Sequence, residues 1–219
     1  MPTVTKIVEQ KKRANRRSIF LDGAFAFGVN LNVVAKFHLH EGQQLSAEDV
    51  ERIQAGSVRQ ECFDHAMRYI EKRMQSREEL KKKLTKNEYG PSIIESVLAQ
   101  LEEMNYVNDA RYAESRAESA AKYKHHGPNR ARMELAKKGV ERETARQAVE
   151  HVYESHDSMA TARDLARKKM KSLARLEPHV ARRRLMGMLL RRGFTFDTIK
   201  PVIDEAIGGF DAPDPELDS

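Results

Sequence analysis

Apolar and polar positions follow a short alternating rhythm up to about residue 45 and a helical one beyond it. Ser18-Ile19-Phe20-Leu21, then Asp22-Gly23, then Ala24-Phe25-Ala26-Phe27-Gly28-Val29 has the form of a hairpin. Asp-Gly suits a type I′ turn because both central residues must take positive φ. Phe25, Phe27 and Val29 alternate with small residues, which predicts one apolar face on the second strand. An earlier strand is expected over Val4 to Glu9. Val33, Val34, Phe37 and Leu39 then suggest a short helix or turn, closed by Glu41-Gly42. Ser46-Ala47-Glu48-Asp49 opens a new helix, with Ser46 as N-cap and acids in the first turn, where the helix dipole favours them.

From about residue 59 the period is that of helices throughout. Phe63, Ala66, Met67, Ile70 and Met74 form one apolar stripe. Ser76-Arg77-Glu78-Glu79 has the capping-box form ahead of Leu80 and Leu84, and Gly90-Pro91 opens a third helix with Pro at its first position. Three copies of this pattern follow one another. Aligning Leu84, Leu135 and Leu189, which lie 51 and 54 residues apart, superimposes Tyr89, Val140 and Phe194 five residues on. Ile93/Ile94, Thr144/Ala145 and Thr198/Ile199 align next, followed by Val97/Leu98, Ala148/Val149 and Val202/Ile203, and by Leu101, Val152 and Ala206. The polar junctions Gly90, Glu141 and Thr195 also coincide. A period of this length marks an array in which each unit buries its apolar face against neighbours.

The expected fold is therefore mainly α: three tandem three-helix repeats, solenoid-like and curved, preceded by a small β-hairpin-containing N-terminal segment. The expected boundaries are 1–58 for that segment, then 59–107, 108–156 and 157–210 for the repeats, with an acidic, disordered tail at 211–219. The N-terminal segment either extends the contact with a partner or covers an end of the array, the second being favoured because solenoid termini need covers.

Composition sharpens this picture. Charged residues make up 33% of the 219-residue chain, against about 25% in an ordinary globular domain. Aromatics are only 6%, Trp is absent and mean hydropathy is −0.69, which suits a thin helical body rather than one large core. The net charge of +6 is unevenly spread. Residues 59–107 carry 9 basic and 9 acidic groups, 108–156 carry 10 and 8, and 160–207 carry 12 and 5. In the third repeat Arg182, Arg183 and Arg184 and then Arg191 and Arg192 bracket the second helix, while Lys168, Lys169 and Lys171 mark the first. With Arg130 and Arg132 of the second repeat and Arg77 of the first, these are the candidate contacts for an acidic groove or a nucleic-acid backbone. Arginine forks donate two parallel hydrogen bonds to a phosphate or carboxylate.

Other chemistries find little support. Cys62 is the single cysteine, which excludes an intramolecular disulfide framework and a Cys-based zinc site. No apolar run approaches the roughly 18–20 residues of a membrane span, and the first residues lack the apolar stretch of a signal peptide. A soluble, cytoplasmic protein is expected. His38-x-His40 would point two imidazoles the same way on a strand, but no third ligand has recognisable spacing; His125-His126-Gly127-Pro128 reads as an inter-helix turn. No phosphate-binding loop, nucleophile elbow or zinc-hydrolase motif occurs, so neither an enzyme nor a cofactor is expected. The third helices carry Ile, Ala, Val and Glu, a poor set for reading base edges. Tyr69, Tyr89, Tyr106, Tyr112, Tyr153 and Phe194 sit at apolar repeat positions, which predicts core packing rather than base stacking. Backbone-level nucleic-acid binding stays open.

Two stretches resemble the RecX family of regulators of the RecA recombinase. Leu101-Glu102-Glu103-Met104-Asn105-Tyr106-Val107-Asn108-Asp109-Ala110-Arg111-Tyr112-Ala113 is similar to that family's L-x-x-x-G-Y-hydrophobic-x-D-x-R-aromatic-A pattern. Asn105 replaces the usual Gly, a mild departure because Asn tolerates the left-handed conformation of a helix C-terminus. Ser76-Arg77-Glu78-Glu79-Leu80 and Gly127-Pro128 through Gly139-Val140 resemble further family signatures; in the third repeat only the helix pattern and Arg191-Arg192-Gly193-Phe194 match. The resemblance implies a cytoplasmic modulator that binds in the helical groove of RecA–DNA filaments. It would act in recombinational repair and the SOS response, limiting filament extension, ATPase and co-protease activity. The implied partners are the RecA filament and, through the same cations, the backbone of single- or double-stranded DNA, with no membrane and a monomeric state. The alternatives are a stand-alone nonspecific nucleic-acid-binding helical module and a passive scaffold for helical partners.

Overall fold

The computed structural model describes residues 1–11 and 13–208; the acidic tail expected at 211–219 lies outside them. The chain divides into two compact units, Met1–Val107 and Asn108–Ser219.

In the first unit, β1 (Val4–Gln10), β2 (Arg13–Leu21) and β3 (Ala24–Asn30) form an antiparallel sheet in the order β1-β2-β3. The expected hairpin is its β2–β3 half. Asp22 and Gly23 have φ of 49° and 82°, as a type I′ turn requires. The apolar face differs from expectation at one residue. Phe20 pairs with Phe25 while Ile19 pairs with Phe27, so Ala26 is an extra residue. This bulge turns Phe25 off the core face. Phe27 and Val29 are buried, whereas Phe25 is exposed and stacks edge-on against Phe20 at 5.9 Å.

α1 (Leu31–Lys36) follows directly from β3. His38 then takes a left-handed turn at φ 49°, and its carbonyl lies 2.9 Å from His40 Nδ1. The two histidines thus belong to a turn, not to the strand imagined for them. α2 (Ala47–Lys72) starts at the expected Ser46 cap, where Ser46 Oγ accepts from Asp49 N at 3.0 Å and Asp49 returns the bond. It runs 26 residues without a break, so residue 58 falls inside a helix. Its first half closes the sheet's core with Ile53, beside Val4, Ile19, Phe27, Val29, Val33, Leu39 and Leu45. Its second half packs Cys62 and Ala66 on α3 (Arg77–Lys86) and α4 (Pro91–Glu103) through Leu80, Leu84, Ile94, Val97, Leu98 and Leu101. Two cores on one rod explain why a boundary inside α2 has no physical counterpart.

Asn105 follows α4 at φ 57°, with Tyr106 N bonded to Leu101 O at 2.9 Å. This is the left-handed helix ending anticipated from the Gly-to-Asn departure. Tyr106 itself turns outward and is about half exposed, against the expectation of core packing. It stands just past the helix end, where the apolar period no longer applies.

The second unit contains α5 (Asp109–Lys122), α6 (Pro128–Lys137) and α7 (Arg142–Glu154), then α8 (Ser158–Met170), α9 (Pro178–Arg192) and α10 (Phe196–Gly208). Each trio keeps its own core. Tyr112, Ala113, Ala117, Leu135, Val140 and Val149 build the first of these, and Ala162, Ala166, Leu185, Leu189, Phe194 and Ile199 the second. The aligned leucines Leu84, Leu135 and Leu189 are all fully buried, as are Leu98, Val149 and Ile203 one helix later. The three copies are one fold repeated, mainly helical throughout.

Candidate interaction surface

The candidate cations fall into two groups once their partners are examined. The one candidate of the first unit, Arg77, is neutralised within the fold. Arg77, at the start of α3, meets Glu95 at 2.6 Å and Glu102 at 2.9 Å, both on α4. Lys81 shares Glu95 at 2.7 Å. The Lys81 and Arg77 hydrogen bonds hold the Glu95 carboxyl down at about 2, well below the usual carboxylate range. Arg77 therefore ties α3 to α4. A cleft of about 780 Å³ lies between the sheet and α2, and several of its polar residues pair with one another. Arg16 meets Glu61, and Asp64 accepts from Asn30 at 2.7 Å and Gln60 at 2.9 Å.

The α8–α10 trio is different. Arg182 is paired with Asp204 on α10, and Arg163 with Glu205 at 2.8 Å. Lys168, Lys169 and Lys171 at the end of α8, and Arg183, Arg184 and Arg191 on α9, have no side-chain hydrogen bond or ion pair among the described residues. All six are exposed. The two arginine clusters do not bracket the second helix; they lie on it, because α9 extends from Pro178 to Arg192.

Arg130, Arg132 and Arg192 meet at a seam between the two trios of the second unit. The seam is built from complementary helix ends. A helix N-terminus leaves N–H groups without partners and a C-terminus leaves carbonyls. Here Gly127 N donates to Arg192 O at 2.8 Å and Asn129 N to Gly193 O at 3.0 Å. The start of α6 is thus capped by the end of α9. Arg192 Nη1 adds a bond to Lys124 O at 2.9 Å. The backbones approach so closely that a Cβ on Gly127 would collide with the Gly193 carbonyl, and one on Gly193 with the Arg130 backbone. Gly193 also needs its φ of 85°. Glu134 gathers Lys124 at 2.8 Å, His126 at 3.2 Å and Arg130 at 3.6 Å. His126 Nδ1 and Arg132 Nε are buried atoms without a hydrogen-bond partner among the described residues, the Glu134 contact lying outside hydrogen-bond geometry. Burial, with Lys124, Arg130 and Arg192 alongside, holds the His126 pKa below its ordinary value despite Glu134.

Two aromatics flanking the seam escaped the sequence reading. Tyr123, the C-cap of α5, is 80% exposed, and Phe196, the first residue of α10, is 67% exposed. The signal existed: Tyr123 lies off the α5 stripe, and Phe196 aligns with Pro91 and Arg142, which are not core positions. Of the aromatics assigned to the core, Tyr112 and Phe194 are fully buried, and Tyr69, Tyr89 and Tyr153 are partly so.

Burial pushes the Cys62 thiol up to about 11. Among the described residues no cluster of His, Cys, Asp or Glu is placed to hold a metal ion, and no helix is long and apolar enough to cross a membrane.

Comparison with known proteins accounts for nearly the whole chain. Residues 2–46 match the model of the "Regulatory protein RecX N-terminal domain". Residues 62–101, 108–149 and 156–203 match the first, second and third three-helix domains of RecX. The Regulatory protein RecX of Bacillus subtilis (strain 168) is 32% identical over 205 residues, covering 94% of this chain and 77% of that protein. That of Listeria monocytogenes (serovar 1/2a, strain EGD-e) is 28% identical over 211 residues, 96% and 78% of the two chains. A crystal structure of regulatory protein RecX superimposes with a TM-score of 0.79 at 22% identity, over 93% of this chain and all of that one. RecX from Lactobacillus salivarius gives 0.63 at 22% identity, over 69% and 97%. At that identity the structures speak for the fold, while the four domain models and the relatives speak for descent: the chain belongs to the RecX family of regulatory proteins.

Proposed function

We propose that this chain regulates a RecA-type recombinase by docking on its DNA filament and limiting extension, ATPase and co-protease activity. The observation that carries this reading is the contrast in charge pairing. Around α3 and α4, Arg73, Arg77, Lys81 and Lys82 are paired with Glu79, Glu95, Glu102 and Glu78 and Lys83 with Gln75, Lys86 being the one α3 cation without such a partner among the described residues, whereas Lys168, Lys169, Lys171, Arg183, Arg184 and Arg191 are all left to solvent. Unpaired, exposed arginines and lysines on one trio supply attraction to an anionic surface without first breaking internal bonds. Several such contacts along a polymer of identical subunits add avidity without any one strong site.

A second reading, a nucleic-acid-binding module independent of the recombinase, is favoured by the exposed Tyr123 and Phe196, which lie within four residues of Lys124 and of Arg192 along the chain. Exposed aromatics next to cations are the usual equipment for holding single strands. The two readings separate in the DNA-dependent ATPase of the recombinase, with this protein substoichiometric and free DNA in excess. Strong suppression is expected for action on the filament, since competition for DNA cannot act at such ratios. Suppression only once the DNA is saturated would replace the first reading by the second.

A further inference from the structure

Gly187 sits half-buried in the middle of α9, on the side of the helix opposite Ala181, Leu185 and Leu189 by its spacing. A glycine inside a helix is costly, because it surrenders backbone entropy and contributes no side chain. At the seam glycines the fold itself explains the residue. At Gly187 it does not: a Cβ there would meet only the flexible tip of Arg191, at 3.1 Å from Nη1. The repeat makes the same point. With Leu84, Leu135 and Leu189 aligned, the positions two residues earlier are Lys82, Met133 and Gly187. Lys82 is exposed and Met133 is 52% exposed. The three-helix fold therefore accepts a long side chain at this place in two copies, and only the third is bare.

The surroundings of this patch are richest in arginine in the third copy. Arg183 and Arg184 lie one turn before Gly187, and Leu190 and Arg191 one turn after, on the same side of the helix by their spacing. The three arginines have no partner among the described residues, and Leu190 is 40% exposed. The equivalent residues are Glu78, Glu79, Thr85 and Lys86 in the first copy and Asn129, Arg130, Ala136 and Lys137 in the second, so only the third joins three arginines to an exposed leucine.

We infer that this stripe is a docking face for an acidic protein segment whose backbone crosses α9 at Gly187, with carboxylates reaching Arg183, Arg184 and Arg191. The inference rests on the reading above, that the partner is a recombinase filament, and deepens it by naming the contact chemistry. Charge complementarity selects an anionic occupant. A protein is favoured over a nucleic-acid strand for two reasons. A mid-helix glycine has its N–H already bonded within the helix, so it offers a phosphate oxygen room but no donor. An exposed leucine among arginines, with Met186 and Met188 half-buried alongside, has the composition of a protein contact.

The test uses the full chain and two substitutions, Gly187→Ala and Gly187→Met, the second copying the residue of the second repeat. Both restore a better helix former, so the melting temperature should rise by about 2–4 °C. Affinity for the recombinase–DNA filament should nonetheless fall, by about tenfold or more for Gly187→Met and less for Gly187→Ala. Affinity for bare single- and double-stranded oligonucleotides should not change. A protein made more stable yet weaker in binding is an outcome that damage to the fold cannot mimic. Wild-type filament affinity in Gly187→Met overturns the inference and leaves the regulatory reading intact. Parallel loss on bare oligonucleotides assigns the face to nucleic acid instead. If the unaltered protein fails to bind the filament at all, both the reading and the inference fall.

Discussion

Gly127 and Gly193 show how two residues without side chains join the two three-helix trios of the second unit. Their backbones bring the end of α9 onto the start of α6, and each occupies space that a methyl group would need. Gly127→Ala and Gly193→Ala should each destabilise the second unit by about 1–3 kcal/mol, the usual cost of forcing atoms into a packed site. Gly90 is the internal control, since nothing stands within 4 Å of a Cβ placed there. Urea unfolding of the three variants should leave only Gly90→Ala near the parent. His126 sits in the same seam and brings a pH dependence. Its pKa is lowered from 6.5 in the fold, so the unfolded chain takes up the proton first. The stabilisation from neutral His126 is complete above about pH 6.5 and is lost as the pH falls through the folded value. Thermal unfolding followed from about pH 7.5 to about pH 5.5 should show a decline in this unit that His126→Asn reduces; an unchanged slope in that variant would reject the assignment.

At the scale of elements, most of the fold was legible because its signals are local. The Ser46 and Ser76 caps, the Asp22-Gly23 turn and the left-handed Asn105 depend on a few neighbouring residues, and all stand where the pattern placed them. The repeat columns were legible for a different reason: one buried position recurred three times. What escaped depends on partners distant in sequence. The Ala26 bulge is a property of pairing with β2, so alternation alone assigned Phe25 to the wrong face. The seam joins residues 127–130 to 192–193, and no local pattern announces it. The continuity of α2 was hidden because its two halves bury against different cores. That continuity has a consequence. Removing residues 1–45 should strip Ile53 and Val50 of their cover and lower the melting temperature of the first unit. An unchanged melting temperature would mean that the sheet contributes nothing to α2. Leu84→Ala, Leu135→Ala and Leu189→Ala occupy one column and should each cost roughly 2–5 kcal/mol, measurable by denaturant unfolding.

On the scale of the whole molecule, charge and pairing together distinguish the three-helix domains. Sequence counting already located the basic excess in the third domain, but it could not tell occupied cations from free ones. Arg77 and Arg182 are engaged with Glu95, Glu102 and Asp204, while Arg183, Arg184 and Arg191 are not. Pairing is decided by tertiary neighbours, which a list of residues does not contain. The result is a contrast within one repeated fold: most cations of α3 brace the first domain internally, while Lys168, Lys169, Lys171, Arg183, Arg184 and Arg191 of the third have no such partner among the described residues. The most direct test of that account is the affinity for the recombinase–DNA filament as a function of salt, for the parent chain and for Arg183→Ala/Arg184→Ala/Arg191→Ala. The account predicts weaker binding at low salt and a flatter salt dependence in the triple variant, because fewer ionic contacts remain to be screened. Equal affinity of the two proteins at both low and high salt would contradict it.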